Sequence, residues 1–384
     1  MTPTQNQHFD YIFTGSGLAA LMTVYKMVLS KNFGNKTILL LDENTKKDND
    51  RTWCFWEKKD RLWQDIIFKK WDLALFADEN FKRNLVLNPY HYNQIRGVDF
   101  YNLVFETILK QDNITFFNEK VTNINELETH VFVSTTTHVF TTDHLLNSIY
   151  NKAIAQNQQK YPVLQQHFIG WFIKTKDAVF NTDQATFMDF SVAQKGNTRF
   201  MYVLPTSKTE ALIEYTLFSK NILAPKEYEN EIRNYIEKLG IKEYVITEKE
   251  QGKIPMTVFP FWKKNTKRVL NIGTAGGWTK ASTGYTFKNS DKKSTALVGF
   301  LQTKNNFKNF YKKNKFWFYD LLLLDILDKQ NELGSQIFSA LFKKGNPALI
   351  FKFLDEETSF LEDLHVILKC PKWLFIRALF KRIF

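Results

Sequence analysis

The sequence predicts an α/β fold in which a parallel sheet is interrupted by a mainly antiparallel sheet and followed by a helical C-terminal region. Residues 10–42 contain a short apolar strand, a glycine turn, a stretch with helical spacing and a second apolar strand. Alternating apolar segments from residue 161 onward are typical of an antiparallel sheet. A buried-type strand returns at 269–272 before a second glycine cluster, and the pattern after residue 300 is mostly helical.

Changes in this pattern define five predicted segments, at 1–60, 61–160, 161–262, 263–300 and 301–384. The first holds a complete βαβ unit, and the second continues the same domain and contributes part of the inserted region. The third forms the inserted sheet, the fourth returns to the first domain, and the fifth is helical. Helices are expected at 98–110 and 225–239, and strands at 114–117, 130–140, 168–174, 186–190, 199–204 and 211–217.

Aromatic residues are unusually abundant, with 36 Phe, 15 Tyr and 9 Trp. A long apolar ligand site would use many rings, but an AT-rich genome would also favour Phe together with Lys and Asn. Composition alone leaves both explanations open.

The net charge of +12 indicates either a nucleic-acid partner or an anionic membrane surface. No zinc spacing and no nucleic-acid motif accompany the charge, so we expect no metal and no nucleic acid, and favour a membrane or a solvated face. Two cysteines form no disulfide framework and suit a reducing compartment. No signal peptide and no apolar run of about 18 residues is present, which predicts a cytoplasmic protein without a membrane span.

The first glycine turn carries the signature of a dinucleotide site. Gly15 allows a tight turn, Gly17 lets the backbone approach a pyrophosphate, and the small Ala20 permits close packing of helix on strand. The free N–H groups at the helix start favour phosphate. Asp42, at the end of the next strand, is placed to accept a hydrogen bond from a ribose hydroxyl. The alternative is a plain tight turn.

A second glycine cluster follows the strand at 269–272 and contains Gly273, Gly276 and Gly277. Such a turn, about 250 residues after the first, favours FAD over NAD, because an NAD-binding domain rarely needs it. The two turns together predict an FAD-binding, Rossmann-like two-dinucleotide-binding fold. An ordinary strand-to-helix loop is the alternative.

Glu214 lies in the middle of the apolar strand at 211–217. A carboxyl group there is costly unless it is paired, neutral or facing a cavity, and desolvation would raise its pKa and favour the protonated acid. Alternation along the sheet would also place Glu214 on a solvent-exposed face. The sequence pattern does not decide between the two.

The C-terminal residues 371–384 combine basic side chains with a broad aromatic face. This combination is typical of a helix lying in a membrane interface, and docking of the helix on its own domain is the alternative. Residues 316–327 are also apolar, but Asp320 and Asp325 predict a core helix there.

Several further motifs make the chain resemble the flavoprotein lycopene cyclases of bacteria and plants. The resemblance extends from about residue 9 to about residue 300, and the motifs occur in the same order as in the family. The matching stretches are 50–56 (a Thr-Trp-x-Phe signature), 166–170 (Gln-x-Phe-x-Gly), 187–190, 199–205 (Arg-Phe-x-Tyr-x-Leu-Pro), 254–257, and 273–277 with Lys280, Thr283, Gly284 and Tyr285. The family carries two adjacent carboxylates followed by Thr in the strand of Glu214. Here the second position is Tyr215, so only Glu214 matches the acid motif.

The resemblance implies a lycopene β-cyclase. Glu214 would be the acid that protonates a terminal double bond of lycopene, after which ring closure and proton loss give a β-ionone ring without net redox. Reduced FAD, maintained by NAD(P)H, would be required. Trp278, Tyr285 and Phe287 are candidates for the substrate lining, although core packing is the alternative for each, and Arg96 is a further candidate for cofactor binding.

Two alternatives remain at this point. One is another FAD-dependent enzyme of the same fold, such as a geranylgeranyl-type reductase or a hydroxylase. The other is a non-catalytic flavin or carotenoid carrier. Because lycopene is confined to the bilayer, we expect a peripheral protein at the cytoplasmic face of the membrane.

Overall fold

The computed structural model describes residues 7–59 and 62–383. Its strands are β1 (Gln7–Thr14), β2 (Ile38–Leu41), β3 (Thr52–Glu57), β4 (Lys69–Trp71), β5 (Leu73–Ala77), β6 (Lys82–Val86), β7 (His91–Arg96), β8 (Ile114–Phe117), β9 (Val121–Glu126), β10 (Val131–Thr135), β11 (Val139–Asn147), β12 (Leu164–Thr175), β13 (Gln184–Asp189), β14 (Thr198–Pro205), β15 (Glu210–Ser219), β16 (Tyr244–Met256) and β17 (Val269–Asn271). Its helices are α1 (Leu18–Ser30), α2 (Gly97–Ile108), α3 (Lys152–Gln156), α4 (Pro225–Lys238), α5 (Phe287–Leu301), α6 (Lys315–Lys329), α7 (Gly334–Lys344), α8 (Pro347–Leu354), α9 (Phe360–Ile367) and α10 (Lys372–Ile383).

The first sheet has the order β8-β2-β1-β11-β10-β9, with β17 beside β11. Strands β8, β2, β1, β11 and β17 run parallel, as expected when helices connect them. Helices α1, α2 and α5 bury their apolar sides against one face of this sheet. The βαβ unit predicted at the start of the chain is therefore confirmed.

The single strand predicted at 130–140 is wrong. Strands β10 and β11 form an antiparallel hairpin, with a tight turn closed by the hydrogen bond from Thr135 N to His138 O of 2.9 Å. The polar run between the strands satisfies its own groups, since His138 N donates to Thr135 Oγ1 at 3.0 Å. Local hydroxyl bonding of this kind favours a turn over a continuous strand.

The second sheet has the order β16-β12-β15-β14-β13-β5-β6 and is antiparallel except for the β13–β5 pair. The four strands predicted between 168 and 217 correspond to β12, β13, β14 and β15, and the helix at 225–239 corresponds to α4. One face packs on α4, and the other packs on the C-terminal helices. The inserted antiparallel sheet is thus confirmed, with β5, β6 and β16 as unpredicted strands.

A third, small sheet has the order β3-β7-β4. It places the aromatic signature at 50–56 between the first sheet and the second, and Phe55 stacks on Phe287 with ring centroids 4.6 Å apart. The sequence pattern predicted no sheet here.

The C-terminal region is helical, as predicted, and α6 is largely buried. Its two buried acids are neutralised inside the protein. Asp320 Oδ2 lies 3.0 Å from Lys280 Nζ, and Asp325 Oδ1 lies 2.5 Å from Arg382 Nη2 in α10. Within the described ranges no helix is long and apolar enough to cross a bilayer.

Lys280 joins α6 to the segment that follows α8, because its Nζ also lies 2.9 Å from Glu356 Oε1. Burial alone would lower the pKa of Lys280, but the two carboxylates outweigh burial and raise the pKa. Lys280 therefore remains a buried cation with two acidic partners.

Replacing this cation with an isosteric apolar side chain should destabilise the fold. In Lys280→Met, two carboxylates lose their partner, and we expect the free energy of unfolding to fall by about 3–5 kcal/mol in urea titrations. Lys110→Met is the matched control, because its partner Glu106 is exposed and the pair contributes at most about 1 kcal/mol. Equal losses in both variants would contradict the role assigned to Lys280.

Candidate active site

A cavity of about 1060 Å³ lies where the three sheets meet. The start of α1, strand β3, the central strands of the second sheet and the segment 283–287 contribute to its wall. The position agrees with a general property of α/β sheets, in which ligands bind beyond the carboxyl ends of parallel strands. Both glycine turns and the strand of Glu214 are brought to this one place.

The first glycine turn opens onto the cavity. Gly15 adopts φ +83°, and a Cβ there would collide with the Ser148 hydroxyl. Gly17 precedes α1 without a side-chain cap, and a Cβ built on it would meet no atom within 4 Å. Since Gly17 and Leu18 line the cavity, the uncapped start of α1 offers N–H groups to a ligand. Ala20 is fully buried in the core beneath.

Asp42 follows β2 and holds the first turn in shape. Its Oδ2 accepts hydrogen bonds from Ser16 N at 2.6 Å and Ser16 Oγ at 2.8 Å, and its Oδ1 accepts from Asn44 N at 2.8 Å. The ribose contact expected of Asp42 remains a prediction.

The second glycine turn, a short 3-10 segment from Gly273 to Gly276, packs on α1. Gly273 and Gly277 have φ values of +58° and +67°, which favour glycine, and a Cβ on Gly276 would collide with the Asn271 carbonyl. A Cβ on Gly273 would lie 3.2 Å from the Ala19 Cβ. The two turns, far apart in sequence, are therefore neighbours, and Thr274 carries the second turn to the cavity wall.

Glu214 lies on the cavity wall and is 8% exposed. Strand β15 pairs with β12 and β14 in a register that sets Glu214 opposite Gly170 and Tyr202. The Thr216 hydroxyl, two residues along the same face, donates to Glu214 Oε1 at 2.5 Å. The exposed-face alternative for Glu214 does not occur.

The carboxyl of Glu214 is held in its neutral form. Burial raises its pKa well above the usual value, and the carboxyl of Glu250 nearby raises it further, while the Thr216 hydroxyl opposes the shift. A protonated carboxyl at neutral pH is the state required of a general acid.

Tyr215 faces the opposite side of the sheet. It is fully buried against α4, and its hydroxyl accepts a hydrogen bond from Arg199 Nη1 at 3.2 Å. Because neighbouring residues of a strand point to opposite faces, a carboxylate at this position would not reach the cavity.

Aromatic side chains form much of the remaining wall. Tyr285 and Phe287 lie there as predicted, and the Tyr285 hydroxyl is 3.3 Å from that of Tyr92. Burial raises the pKa of the Tyr285 hydroxyl and of the Cys54 thiol, so both stay uncharged. The aromatic lining among the described residues comprises Trp53, Tyr92, Tyr101, Tyr150, Phe168, Tyr202, Tyr285 and Phe287.

Among the predicted site residues outside the glycine turns and their supports, two do not line the cavity. Arg96 ends β7 and makes a two-point ion pair with Asp99, with hydrogen bonds of 2.7 and 2.8 Å. Trp278 is buried in the core under α1 and α5, so the packing alternative describes it. Within the described ranges, Arg51 and not Arg96 is the arginine on the cavity wall.

Sequence reasoning missed Glu250 on β16, which lines the same cavity. Two buried polar atoms, Gln166 Oε1 and Thr283 Oγ1, also face it and have no hydrogen-bond partner among the described residues. Unsatisfied buried polar groups of this kind are expected where a ligand completes the site. Gln166 and Thr283 both belong to motifs in the sequence, but only the fold shows that their side chains face the cavity.

The sheet order, the paired glycine turns and the inserted antiparallel sheet define an FAD-binding, two-dinucleotide-binding type of fold. Solved flavoproteins share it. A geranylgeranyl bacteriochlorophyll reductase-like protein from Thermoplasma acidophilum superposes with a TM-score of 0.61 at 11% identity, covering 97% of this chain and 99% of that one. A flavoprotein/dehydrogenase from Cytophaga hutchinsonii gives 0.63 at 11% identity, covering 98% and 100%.

Halogenase PltM, solved in complex with phloroglucinol and FAD, gives a TM-score of 0.61 at 13% identity and covers 93% of this chain and 83% of its own. No curated protein sequence matches the chain. The family model described as lycopene cyclase protein matches residues 10–380, and the chain belongs to this family.

Proposed function

We propose that this protein is a lycopene β-cyclase that closes the linear ends of lycopene into β-ionone rings. The observation that carries the proposal is Glu214, a buried carboxyl kept neutral on the wall of the cavity onto which the first glycine turn also opens. Membership of the lycopene cyclase family supports the substrate class.

The residues of the cavity fit FAD. Gly17 leaves open space beside the free N–H groups of α1, which suits a pyrophosphate, and the second turn lies against the first. Gln166 and Thr283 present unsatisfied polar atoms that a flavin ring would pair. When bound and kept reduced by NAD(P)H, the flavin supplies negative charge that stabilises a carbocation.

Glu214 starts the reaction by transferring its proton to a terminal double bond of lycopene. The resulting tertiary cation is attacked by the neighbouring double bond, a six-membered ring closes, and loss of a proton leaves the ring double bond. Burial of Glu214 makes its neutral form available at neutral pH. No electron is gained or lost overall.

The cavity wall suits a cationic intermediate. Rings such as Tyr202, Tyr285 and Phe287 offer π faces that stabilise positive charge without forming a bond to it. The Tyr285 hydroxyl and the Cys54 thiol, both uncharged because of burial, are poor nucleophiles towards the cation.

Replacing the proposed acid should abolish cyclisation without loss of the fold. Glu214→Gln keeps the side-chain shape and the hydrogen bond from Thr216 but removes the proton, and we expect the rate to fall by roughly 10²–10⁴-fold. Pigment analysis of reaction mixtures containing lycopene, FAD and NAD(P)H measures this. Glu210→Gln, on the same strand in a surface pair with Lys174, should keep the wild-type rate.

The same assay separates the alternatives. A reductase or hydroxylase would consume NAD(P)H in proportion to product, and a carrier would bind lycopene without forming rings. Wild-type turnover in Glu214→Gln would remove the proposed acid.

The first glycine turn should decide cofactor binding. Gly17 has φ −75° and ψ 177°, which valine adopts without strain, and the added side chain would project into open space where the pyrophosphate is expected. We expect Gly17→Val to weaken FAD binding by roughly 100-fold or more, about 2.7 kcal/mol, in flavin fluorescence titrations. Gly34→Val, at an equally open position after α1, should bind FAD normally.

We also propose that α9 and α10 rest on an anionic membrane surface at its cytoplasmic face. One side of α10 packs on α6 through Ala378 and its neighbours, as expected for docking of the helix on its own domain. The other side is exposed and apolar, as is one side of α9. The exposed large apolar residues of the two helices are Phe360, Leu361, Leu364, Leu368, Trp373, Ile376, Phe380 and Ile383.

Charge complementarity selects a membrane as the partner of this surface. Helix α10 contains Lys372, Arg377 and Lys381, besides Arg382, which is paired with Asp325, and it contains no acidic residue. Basic side chains beside exposed rings at helical spacing suit an interface of anionic headgroups and acyl chains. A substrate confined to the bilayer requires such contact.

Removing two exposed rings should release the protein from vesicles. We expect the double variant Trp373→Ser and Phe380→Ser to bind vesicles containing phosphatidylglycerol about 100-fold more weakly, because burial of each ring contributes about 1.5–3 kcal/mol. Flotation assays measure the bound fraction. The control Val86→Ser and Val245→Ser removes equally exposed apolar groups elsewhere. Unchanged binding in the ring variant would refute the proposed surface.

A further inference from the structure

We propose that Glu250 is a positioning residue that forms a proton-sharing pair with Glu214 across Gly170, and that the pair, not Glu214 alone, sets the acidity of the site. The inference rests on the proposed function and deepens it. In the family, both acids of the site lie next to each other on the strand that corresponds to β15. Here the second carboxyl, Glu250, lies on β16 instead.

The sheet register brings the two carboxyls together. Strand β12 lies between β15 and β16, and Gly170 is paired with Glu214 on one side and with Glu250 on the other. The three residues point to the same face because directly paired residues of a sheet share a face. The two glutamates are thus separated only by a residue without a side chain.

Glycine at this position is what permits contact. A Cβ on Gly170 would lie 3.2 Å from Glu250 Cγ, 3.4 Å from Glu214 Cβ and 2.8 Å from Leu212 Cδ1. The space above Gly170 is therefore already filled by the two glutamate side chains. Each carboxyl is close enough to shift the pKa of the other.

Each carboxyl is also anchored by a threonine. Thr216 Oγ1 donates to Glu214 Oε1 at 2.5 Å, and Thr52 Oγ1 donates to Glu250 Oε2 at 2.6 Å. Glu214 and Glu250 are only 8% and 9% exposed. In the described part of the chain, neither carboxyl forms a salt bridge with Lys or Arg. Two buried acids without a cation can lie this close only if at least one of them is protonated, and we infer that they share that proton.

The other groups that act on the pair are on neighbouring elements. Arg51 beside β3 favours the ionised form of Glu250, and Glu248 on β16 opposes it. The uncharged hydroxyls of Tyr202 and Tyr285 lie near Glu214, and Tyr92 is bonded to Tyr285. The uncharged thiol of Cys54 lies near both carboxyls.

The pair loses its first proton far more easily than its second. Burial raises the pKa of Glu250 to about 7, whereas the hydrogen bonds from Thr52 and Glu214 hold the pKa below what burial alone would give. The pKa of Glu214 is raised much further by burial and then by Glu250. Below about pH 7 both carboxyls are neutral. Above this pH Glu250 is ionised and accepts a hydrogen bond from Glu214, which keeps its proton.

The doubly protonated pair is therefore the stronger acid. When Glu214 gives its proton to lycopene, Glu250 donates a hydrogen bond to the new carboxylate and one negative charge remains. Once Glu250 is ionised, the same transfer would leave two adjacent buried charges. The proton released when the ring double bond forms returns to the pair, so the proton count is restored after each turnover.

The test is the pH profile of cyclisation. In the wild type we expect the rate to fall about tenfold per pH unit above about pH 7, as Glu250 ionises. Glu250→Gln keeps a neutral hydrogen-bond donor to Glu214, so its rate should be flat across this range. Glu210→Gln, which removes an acid in a surface pair with Lys174, should keep a decline like that of the wild type.

A second variant moves the profile in a defined direction. Thr52→Val removes the hydroxyl that favours ionised Glu250, so the pKa of Glu250 should rise and the decline should shift to higher pH. An unchanged profile in Glu250→Gln, or a shift to lower pH in Thr52→Val, would overturn the pair.

Infrared difference spectroscopy of the protonated carboxyl band provides a readout that needs no substrate. The wild type should lose one protonated carboxyl near pH 7, and Glu250→Gln should not. If the band titrates in this way but no variant or wild type forms rings, the pair stands and the proposed function fails. If rings form but no band titrates near pH 7, the pair fails and the proposed function stands.

Discussion

The site depends on keeping a carboxyl group uncharged inside the protein. An isolated buried carboxylate is too costly to persist, so Glu214 must be protonated, paired or both. The structure supplies a hydroxyl from Thr216, a second carboxyl from Glu250 and no ion pair to a cation within the described residues. These neighbours favour the protonated form of Glu214, whereas an arginine in place of Glu250 would favour the ionised form.

Glu214 lies beside the glycine turns because a parallel sheet and an antiparallel sheet meet at the cavity. The parallel sheet brings the two glycine turns together on α1, although they are about 250 residues apart in sequence. The antiparallel sheet provides long, regular strands whose cavity face carries Leu212, Glu214 and Thr216 in alternation. The small third sheet places aromatic side chains at the junction, and its Trp53 and Tyr92 line the cavity.

Local patterns predicted much of this arrangement, and contacts between distant segments account for what they missed. The glycine turns and the strands of the inserted sheet follow from short-range spacing. Alternation along β15 shows that Glu214 and Tyr215 face opposite ways, but not which of them faces the core, because both faces of this sheet are covered.

Glu250 lies in a run of charged residues, 248–250, that resembles a solvent-exposed strand, and only its pairing with Gly170 reveals its position. Arg96 and Trp278 were assigned to the site from sequence position, but a local ion pair with Asp99 and core packing hold them elsewhere.

The pairing of β15 with both neighbours runs without a bulge, over ten residues against β12 and eight against β14. A deletion of a single residue inside β15 ahead of Glu214 would exchange the two faces of the rest of the strand and present the Tyr215 phenol where the carboxyl now stands. The chemistry of the cavity is thus encoded as much in the register of this strand as in residue identity. Length changes within β15 should be far less tolerated than substitutions there.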